Sequence, residues 1–167
     1  MASNTFLTFT LAEELYAVTV ARVQEVLSQR PLTVIPRTRD YMKGVINIRG
    51  NVIPVVDLRT KFGLPETETT VDTSIIVMDI HTDESAATVG CLTDSVEEVL
   101  DIEEDSVKPA PKIGTSVDTR FIRGLGKKDE RFVIILNIDY VFQAEADGLA
   151  AVQDAPVANE LAAARDS

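Results

Sequence analysis

One stretch of the sequence recurs 80 residues further along the chain. Residues 41–62 (YMKGVINIRGNVIPVVDLRTKF) align without a gap on residues 121–142 (FIRGLGKKDERFVIILNIDYVF), so that Gly44 falls on Gly124. In both copies a short turn precedes an apolar run, which predicts a β-hairpin. The shared glycine indicates a backbone requirement at the same point of each copy, either a positive φ or close packing.

A second match lies upstream of the first. Residues 16–27 (YAVTVARVQEVL) align on residues 89–100 (VGCLTDSVEEVL) at a shift of 73. Because the two matches keep the same order and similar spacing, we interpret the chain as a duplicated β-unit of about 65–75 residues with about five short strands in each copy. A unit of this size forms a small barrel, which removes exposed sheet edges. Two barrels meet at a seam, and a groove between subdomains is a common binding site.

The local patterns predict an all-β fold with a few short helices. Residues 21–29 and 95–102 fit either a strand or a helix, and a helix is expected to begin at 139–146. Alternating apolar and β-branched residues predict strands at 5–11, 15–20, 31–36, 43–48, 52–58, 75–80, 86–93, 120–126 and 131–138.

The first predicted hairpin turns at Arg49-Gly50-Asn51. Glycine and asparagine both tolerate positive φ, so Gly50-Asn51 is expected to form the turn. Pro54 has no N–H to donate to a neighbouring strand. The returning strand is therefore expected at a sheet edge or at a bulge.

Composition and charge exclude several classes of function. The chain of 167 residues has 27 acidic and 16 basic side chains and a formal net charge of −11, whereas a nucleic-acid-binding protein needs a basic stripe. No apolar run reaches the roughly 20 residues of a membrane-spanning helix. The first residues also lack the pattern of a secretory signal. We expect a cytoplasmic protein with no direct insertion into a membrane.

The residues that could carry chemistry each have a structural explanation. His81 is the only histidine and ends a predicted strand beside a turn. Cys91 is the only cysteine and lies within a predicted strand, where a small buried side chain is expected rather than a reactive thiol. The acidic cluster at 97–105 lacks the alternating oxygen ligands and central glycine of an EF-hand loop. We expect no enzymatic activity, no metal and no cofactor.

Arg49 has two interpretations. It can be a solvent-exposed turn residue, or it can be presented at an interface, where planar multidentate donors are favoured. Gln24 and Glu25 carry the same ambiguity. Asn47 and Arg49 do not recur in the second copy, which has KKDE at the turn. Function is therefore expected at these unshared positions.

Three segments together resemble the CheW family of bacterial chemotaxis coupling proteins. They are residues 16–27, residues 41–64 (YMKGVINIRGNVIPVVDLRTKFGL) and residues 120–142 (RFIRGLGKKDERFVIILNIDYVF). The resemblance covers about residues 5–143 and implies two SH3-like five-stranded β-barrels with a groove between them. It implies an adaptor without enzymatic activity that joins the cytoplasmic tips of chemoreceptors to the regulatory domain of the histidine kinase CheA. The alternative is a paralogous adaptor of a non-flagellar chemosensory pathway.

Carried over residue by residue, the resemblance implies a partner-binding groove at five positions. These are Val23, Glu25, Gly44, Asn47 and Arg49. Arg49, in the NIRG segment, matches a family arginine whose loss impairs coupling, either because it contacts the receptor or because it supports the groove.

The resemblance also sets the expected domain organisation. Residues 1–147 are expected to form one domain of two interleaved barrels, with the hairpins near 41–62 and 121–142. Residues 148–167 form an acidic, Ala-rich tail that is either a loose helix or disordered. The protein is expected to be monomeric when free and to reach receptor arrays at the inner membrane through its partners.

Overall fold

The chain folds into two five-stranded β-sheets, and the computed structural model describes residues 4–36, 39–65, 68–81, 86–109 and 119–143. The predicted all-β class, with two five-stranded units and few short helices, is confirmed. The predicted tail at 148–167 lies outside the described residues. The strands are β1 (Thr5–Leu11), β2 (Glu14–Thr19), β3 (Val23–Ser28), β4 (Met42–Ile48), β5 (Asn51–Asp57), β6 (Ser74–His81), β7 (Ala86–Thr93), β8 (Ser95–Asp101), β9 (Ile122–Lys128) and β10 (Arg131–Leu136).

Short helical segments follow or link the strands. The helices α1 (Leu58–Lys61) and α2 (Ile138–Val141) follow β5 and β10. Each begins after a side chain that caps it, since Asp57 accepts a hydrogen bond from the Arg59 N–H and Asn137 accepts one from the Tyr140 N–H. Turns of 3₁₀ helix span Val20–Arg22, Glu104–Ser106 and Thr119–Phe121.

The two sheets have the same topology. The contiguous sheet, built from β3 to β7, has the order β3-β6-β7-β5-β4. The split sheet, built from β1, β2 and β8 to β10, has the order β8-β1-β2-β10-β9. Each sheet contains one parallel pair, β5 with β7 and β2 with β10, and its other pairs are antiparallel. The chain therefore starts in the split sheet, builds the contiguous sheet and then returns.

The element boundaries repeat with the spacing of the sequence match. A shift of 80 places β4, β5 and α1 on β9, β10 and α2, and a shift of 73 places β3 on β8 to within one residue. Under this equivalence each sheet combines the first two strands of one copy with the last three strands of the other. The chain passes from one sheet to the other after β2 and again after β7, so the two copies exchange strands.

The structure resolves the two ambiguous segments and corrects one strand. Residues 21–29 form the end of a 3₁₀ turn followed by β3, and residues 95–102 contain β8. The strand predicted at 31–36 is wrong, because this segment forms only the isolated bridge between Thr33 and Val45 among the described residues. Prolines at both ends of the segment remove the N–H groups that would extend the pairing.

The structure also corrects the predicted turn of the first hairpin and the predicted edge position of its second strand, while the alternative of a bulge is met in the pairing of β4 with β5, between Met42 and Gly44. The residues with positive φ are Arg49 (51°) and Gly50 (84°), whereas Asn51 already belongs to β5. A two-residue loop with positive φ at both positions matches the twist of the strands it joins. The strand that contains Pro54 is not an edge, since β5 lies between β4 and β7. Pairing with β7 begins only at Val55, so the absence of an N–H at Pro54 costs no bond on that side.

The buried apolar side chains of the described residues form three clusters. One lies within the split sheet around Phe6 and Ile135, and another lies within the contiguous sheet around Val55 and Ile75. The largest draws buried side chains from both sheets, and in it the ring of Tyr16 lies 6.0 Å from that of Phe9 and 6.1 Å from that of Phe62. Each such side chain contributes about 1.5–3 kcal/mol when fully buried. The two sheets are therefore packed against each other along this shared cluster.

Candidate functional site

An ion pair joins the two edges of the contiguous sheet. The outer strands of this sheet are β3 and β4. Nevertheless the Nη1 atom of Arg49, which follows β4, lies 2.6 Å from Oε2 of Glu25 in β3. The sheet must curl for its first and last strands to meet in this way. Two of the predicted site residues are therefore in direct contact.

The turn that carries Arg49 is held by its own residues. The Oδ1 atom of Asn47 accepts a hydrogen bond from the Gly50 N–H at 3.0 Å. Arg49 has a φ of 51°, a conformation that is unfavourable for a residue with a long side chain. Its hydrogen bond to Glu25, together with the attraction between the two charges, raises the pKa of Arg49 above its ordinary value. The guanidinium is thus oriented although its side chain is 73% exposed.

The split sheet is closed in an equivalent way. Lys128, at the end of β9, forms a salt bridge with Glu98 of β8. Glu98 lies at the position of Glu25 in the repeat, and Lys128 lies one residue before the position of Arg49. Arg49 itself does not recur, since Asp129 stands at the aligned position, but the neighbouring Lys128 makes the equivalent contact. Arg49 has an architectural role in addition to any role at a surface.

Gly44 is a structural position rather than a contact surface. It is buried, and a Cβ atom there would lie 2.5 Å from the carbonyl oxygen of Thr33. Gly124 is equally restricted, since a Cβ would lie 2.4 Å from Cγ1 of Val107. Because neither glycine has a Cβ atom, a separate chain segment can pair with the residue that follows each of them. Thr33 forms an isolated β-bridge with Val45, and Lys108 forms one with Leu125. The backbone requirement predicted from the repeat is confirmed.

Val23 and Glu25 face opposite sides of β3, since Val23 pairs with Met78 of the large shared cluster and Glu25 pairs with Val77 of the contiguous sheet's own cluster. Val23 packs partly against the large shared cluster. A β-bulge at Gln24 shifts the register between Val23 and Glu25, and bulges re-aim side chains at sheet edges. The amide of Gln24 donates to Oδ1 of Asp79 at 2.5 Å. All five predicted residues thus lie on or beside the joined edges, and of these Gly44 is buried.

A cavity of about 420 Å³ lies elsewhere in the same half of the molecule. Its lining comes from residues between 29 and 92, including Arg30, Lys43 and Arg59, and contains none of the five predicted residues. The predicted groove between the two barrels stays a prediction.

The remaining candidates have structural environments. Cys91 is fully buried, and burial raises the pKa of its thiol far above the ordinary value, so it is not available as a thiolate nucleophile. The main-chain N–H of His81 donates to Asp139. Over the described ranges, no three His, Cys, Asp or Glu side chains are grouped as metal ligands, and none of the helices has the length and apolar composition needed to cross a bilayer.

The fold and the site define a class of protein. Two equivalent five-stranded sheets share one core, and in each of them an ion pair joins the outer strands. This organisation is that of a β-sheet scaffold built from two copies of one unit that exchange strands.

Comparisons with known proteins place the chain within this class. The family model of the CheW-like domain matches residues 5–146. The chain is 34% identical over 140 residues to a chemotaxis protein CheW of Klebsiella aerogenes, covering 84% of this chain and 82% of that protein. It is 33% identical over 132 residues to one of Bacillus subtilis, covering 78% and 81%. The crystal structure of the scaffolding protein TtCheW from Thermoanaerobacter tengcongensis superposes with a TM-score of 0.77 at 34% identity, covering 92% of this chain and 96% of that one. The chain belongs to the CheW-like family.

Proposed function

We propose that this chain is a chemotaxis adaptor that couples chemoreceptors to the histidine kinase CheA, and that it does so without catalysis. The observation that carries the proposal is the extent of the family match, which spans residues 5–146 and therefore both sheets. Relatives that match over most of the chain are named chemotaxis protein CheW, and the structural neighbour is described as a scaffolding protein. The partners are receptor cytoplasmic tips and the regulatory domain of the kinase.

The proposed partner-binding surface is the joined edge of the contiguous sheet. It consists of Val23, Glu25, Asn47 and Arg49, and it offers mainly charged and polar groups, since Val23 faces the large shared cluster. Arg49 is pre-oriented by Glu25, which reduces the conformational entropy lost on binding. Its exposed guanidinium can donate to a carboxylate or a main-chain carbonyl of the partner.

Recruitment through partners accounts for the proposed location. We place the protein in the cytoplasm, as a monomer when free, and at receptor arrays when bound. Its net charge of −11 keeps it soluble and gives anionic membranes no electrostatic attraction for it. Contact with the membrane would then depend on the receptor.

The test is reconstitution from purified components. Membranes that contain a chemoreceptor of the source organism are mixed with its CheA kinase, with and without this protein, and kinase autophosphorylation is measured. Receptor-dependent activation is expected only when the protein is present. Equal activity with and without the protein, and no co-sedimentation with the membranes, would rule out the coupling function.

A matched pair of variants tests the surface. Arg49→Glu and Lys128→Glu each reverse the cation of a closing ion pair, one in each sheet. Because each change breaks a salt bridge between the outer strands of one sheet, a difference between their effects reports on contact with partners. Arg49→Glu is expected to reduce receptor-dependent activation about tenfold or more, while Lys128→Glu leaves it close to the wild-type level. Equal effects of both variants would show that Arg49 acts only by closing its sheet.

A further inference from the structure

Two charged clusters connect the sheets at equivalent points of the repeat. The chain passes from the split sheet to the contiguous sheet through Val20–Arg22, and it returns through Asp94, which lies between β7 and β8. At each crossing a charged side chain of the crossover forms a salt bridge with a side chain of a short helix. Arg22 pairs with Asp139 of α2, and Asp94 pairs with Arg59 of α1. Each cluster also reaches a main-chain N–H of the other sheet.

The first cluster is buried. The Nη1 atom of Arg59, in α1, donates to Oδ1 of Asp94 at 2.8 Å, and Oδ2 of Asp94 accepts from the Ala12 N–H at 2.7 Å. Arg59 also donates to both carboxylate oxygens of Asp57 at 2.9 Å. The side chains of Arg59 and Asp57 are 6% and 1% exposed. This cluster ties a helix of the contiguous sheet to the β1–β2 turn of the split sheet.

The second cluster is less deeply buried. Arg22 donates through Nη1 and Nη2 to the two oxygens of Asp139 in α2, at 2.9 and 2.7 Å. Oδ1 of Asp139 also accepts from the His81 N–H at 2.7 Å, and Nη1 of Arg22 lies 3.3 Å from the carbonyl oxygen of Asp79. The side chains of Arg22 and Asp139 are 24% and 31% exposed. This cluster ties a helix of the split sheet to the end of β6 in the contiguous sheet.

The positive and negative partners are reversed between the two clusters. Arg59 and Asp139 occupy the same helix position, 80 residues apart, so the cation belongs to the helix in one cluster and to the crossover in the other. In both, the carboxylate bonds to the opposite sheet as well. Solvent and salt weaken an exposed pair more than a buried one. In the first cluster the pair that crosses between the sheets, Arg59 with Asp94, is 6% and 18% exposed, so the junction at Arg22 is the one that salt weakens more.

We infer that Arg22 and Asp139 are positioning residues that clamp β3, and with it the proposed partner-binding surface, against the split sheet. β3 begins at Val23, directly after Arg22, and Glu25 lies three residues further on. A bidentate pair fixes orientation as well as distance. Without it, β3 shifts relative to the split sheet and Glu25 no longer presents Arg49 in one place. This inference rests on the proposed coupling function.

The variants are Arg22→Asp, Asp139→Arg, their double exchange, and the milder Arg22→Gln and Arg22→Lys. The control is Arg123→Asp, which removes an exposed pair with Glu104 by the same chemical change but away from the junction. Binding is measured by co-sedimentation with receptor-containing membranes and CheA. Thermal melting of each variant verifies that it is folded.

Sheet-to-sheet geometry is measured separately, without any partner. Spin labels are placed on cysteines introduced at the exposed positions Ser28 in the contiguous sheet and Glu130 in the split sheet. The native Cys91 is buried and does not take up label. Distances are then read by pulsed electron paramagnetic resonance.

Arg22→Asp and Asp139→Arg are each expected to broaden the distance distribution and to weaken partner binding about tenfold. Arg22→Gln is expected to weaken binding in the same direction, and Arg22→Lys to retain most of the binding. The double exchange is expected to restore both partner binding and the width of the distance distribution. The control changes neither. Unchanged binding in the folded Arg22 variants, or a double exchange that restores nothing, would overturn the clamp. Absence of binding by the wild-type protein would instead overturn the proposed function, and the clamp's positioning role with it, while the distances would still report on sheet geometry.

Discussion

Gly44→Ala should destabilise the protein strongly, although it adds one methyl group. The new Cβ would lie 2.5 Å from the Thr33 carbonyl oxygen, which is main-chain and cannot rotate away. That oxygen accepts from the Val45 N–H at 2.8 Å, and the Thr33 N–H donates back to the Val45 carbonyl at 3.0 Å. Relieving the clash therefore separates two hydrogen-bonded segments.

The cost can be summed from these contacts. Two hydrogen bonds contribute about 1 kcal/mol each, and a non-glycine residue at a φ of 150° adds about 1–3 kcal/mol of backbone strain. The free energy of unfolding should fall by about 3–5 kcal/mol. At about 2–4 °C per kcal/mol for a domain of this size, the melting temperature should fall by about 10 °C.

Two other glycines serve as controls in the same urea and thermal unfolding experiments. Gly50 has a φ of 84°, and a methyl carbon added there would have no atom within 4 Å, so Gly50→Ala should cost only the strain of about 1 kcal/mol. Gly124 has no positive φ but meets Val107 and Lys108, so Gly124→Ala should be intermediate. If Gly44→Ala were no more destabilising than Gly50→Ala, the close approach of Thr33 would not be the reason for the glycine.

Two further perturbations address buried polar groups. Arg59→Met leaves the carboxylate of Asp57 buried without its partner and should cost about 3–5 kcal/mol in urea unfolding. Adding Asp57→Asn should recover part of this loss, and a double variant less stable than the single one would contradict the reasoning. Burial, with a smaller contribution from the charge of Glu14, raises the pKa of Tyr16 to about 12 from 10.0. The native phenol keeps its proton to higher pH than the unfolded one, so stability should fall by about 2 kcal/mol between pH 10 and 12. This fall should be absent in Tyr16→Phe, and an equal fall in that variant would refute the assignment.

Local pattern predicted most strands because alternating apolar residues report directly on which face is buried. It left residues 21–29 undecided, since Val20, Val23 and Val26 satisfy helical and strand spacing alike. It also predicted a strand at 31–36. The residue types there suit a strand, but in the structure this segment pairs with β4 at one position, Thr33 with Val45. The difference is set by tertiary contacts that no local window contains.

The ion pairs escaped prediction for the same reason. Arg49 and Glu25 are 24 residues apart, and Arg22 and Asp139 are 117 apart. The repeat held a usable signal for the first pair, because Glu25 aligns with Glu98 and a cation lies at each hairpin turn. The gapless alignment does not show the equivalent pair directly, because it sets Arg49 opposite Asp129, one residue after Lys128.

The exchange of strands between the two copies gives the clamp its importance. Each sheet takes two strands from one copy and three from the other, so any force on one sheet reaches the other through the crossovers after β2 and β7 as well as through the shared core. The crossover after β7 is held by a buried cluster, and the one after β2 by a more exposed pair. β3 leaves the crossover that solvent and salt reach more easily, and it carries Glu25, which orients Arg49. A partner bound at that edge therefore acts on a strand whose attachment to the split sheet depends on an ion pair sensitive to salt.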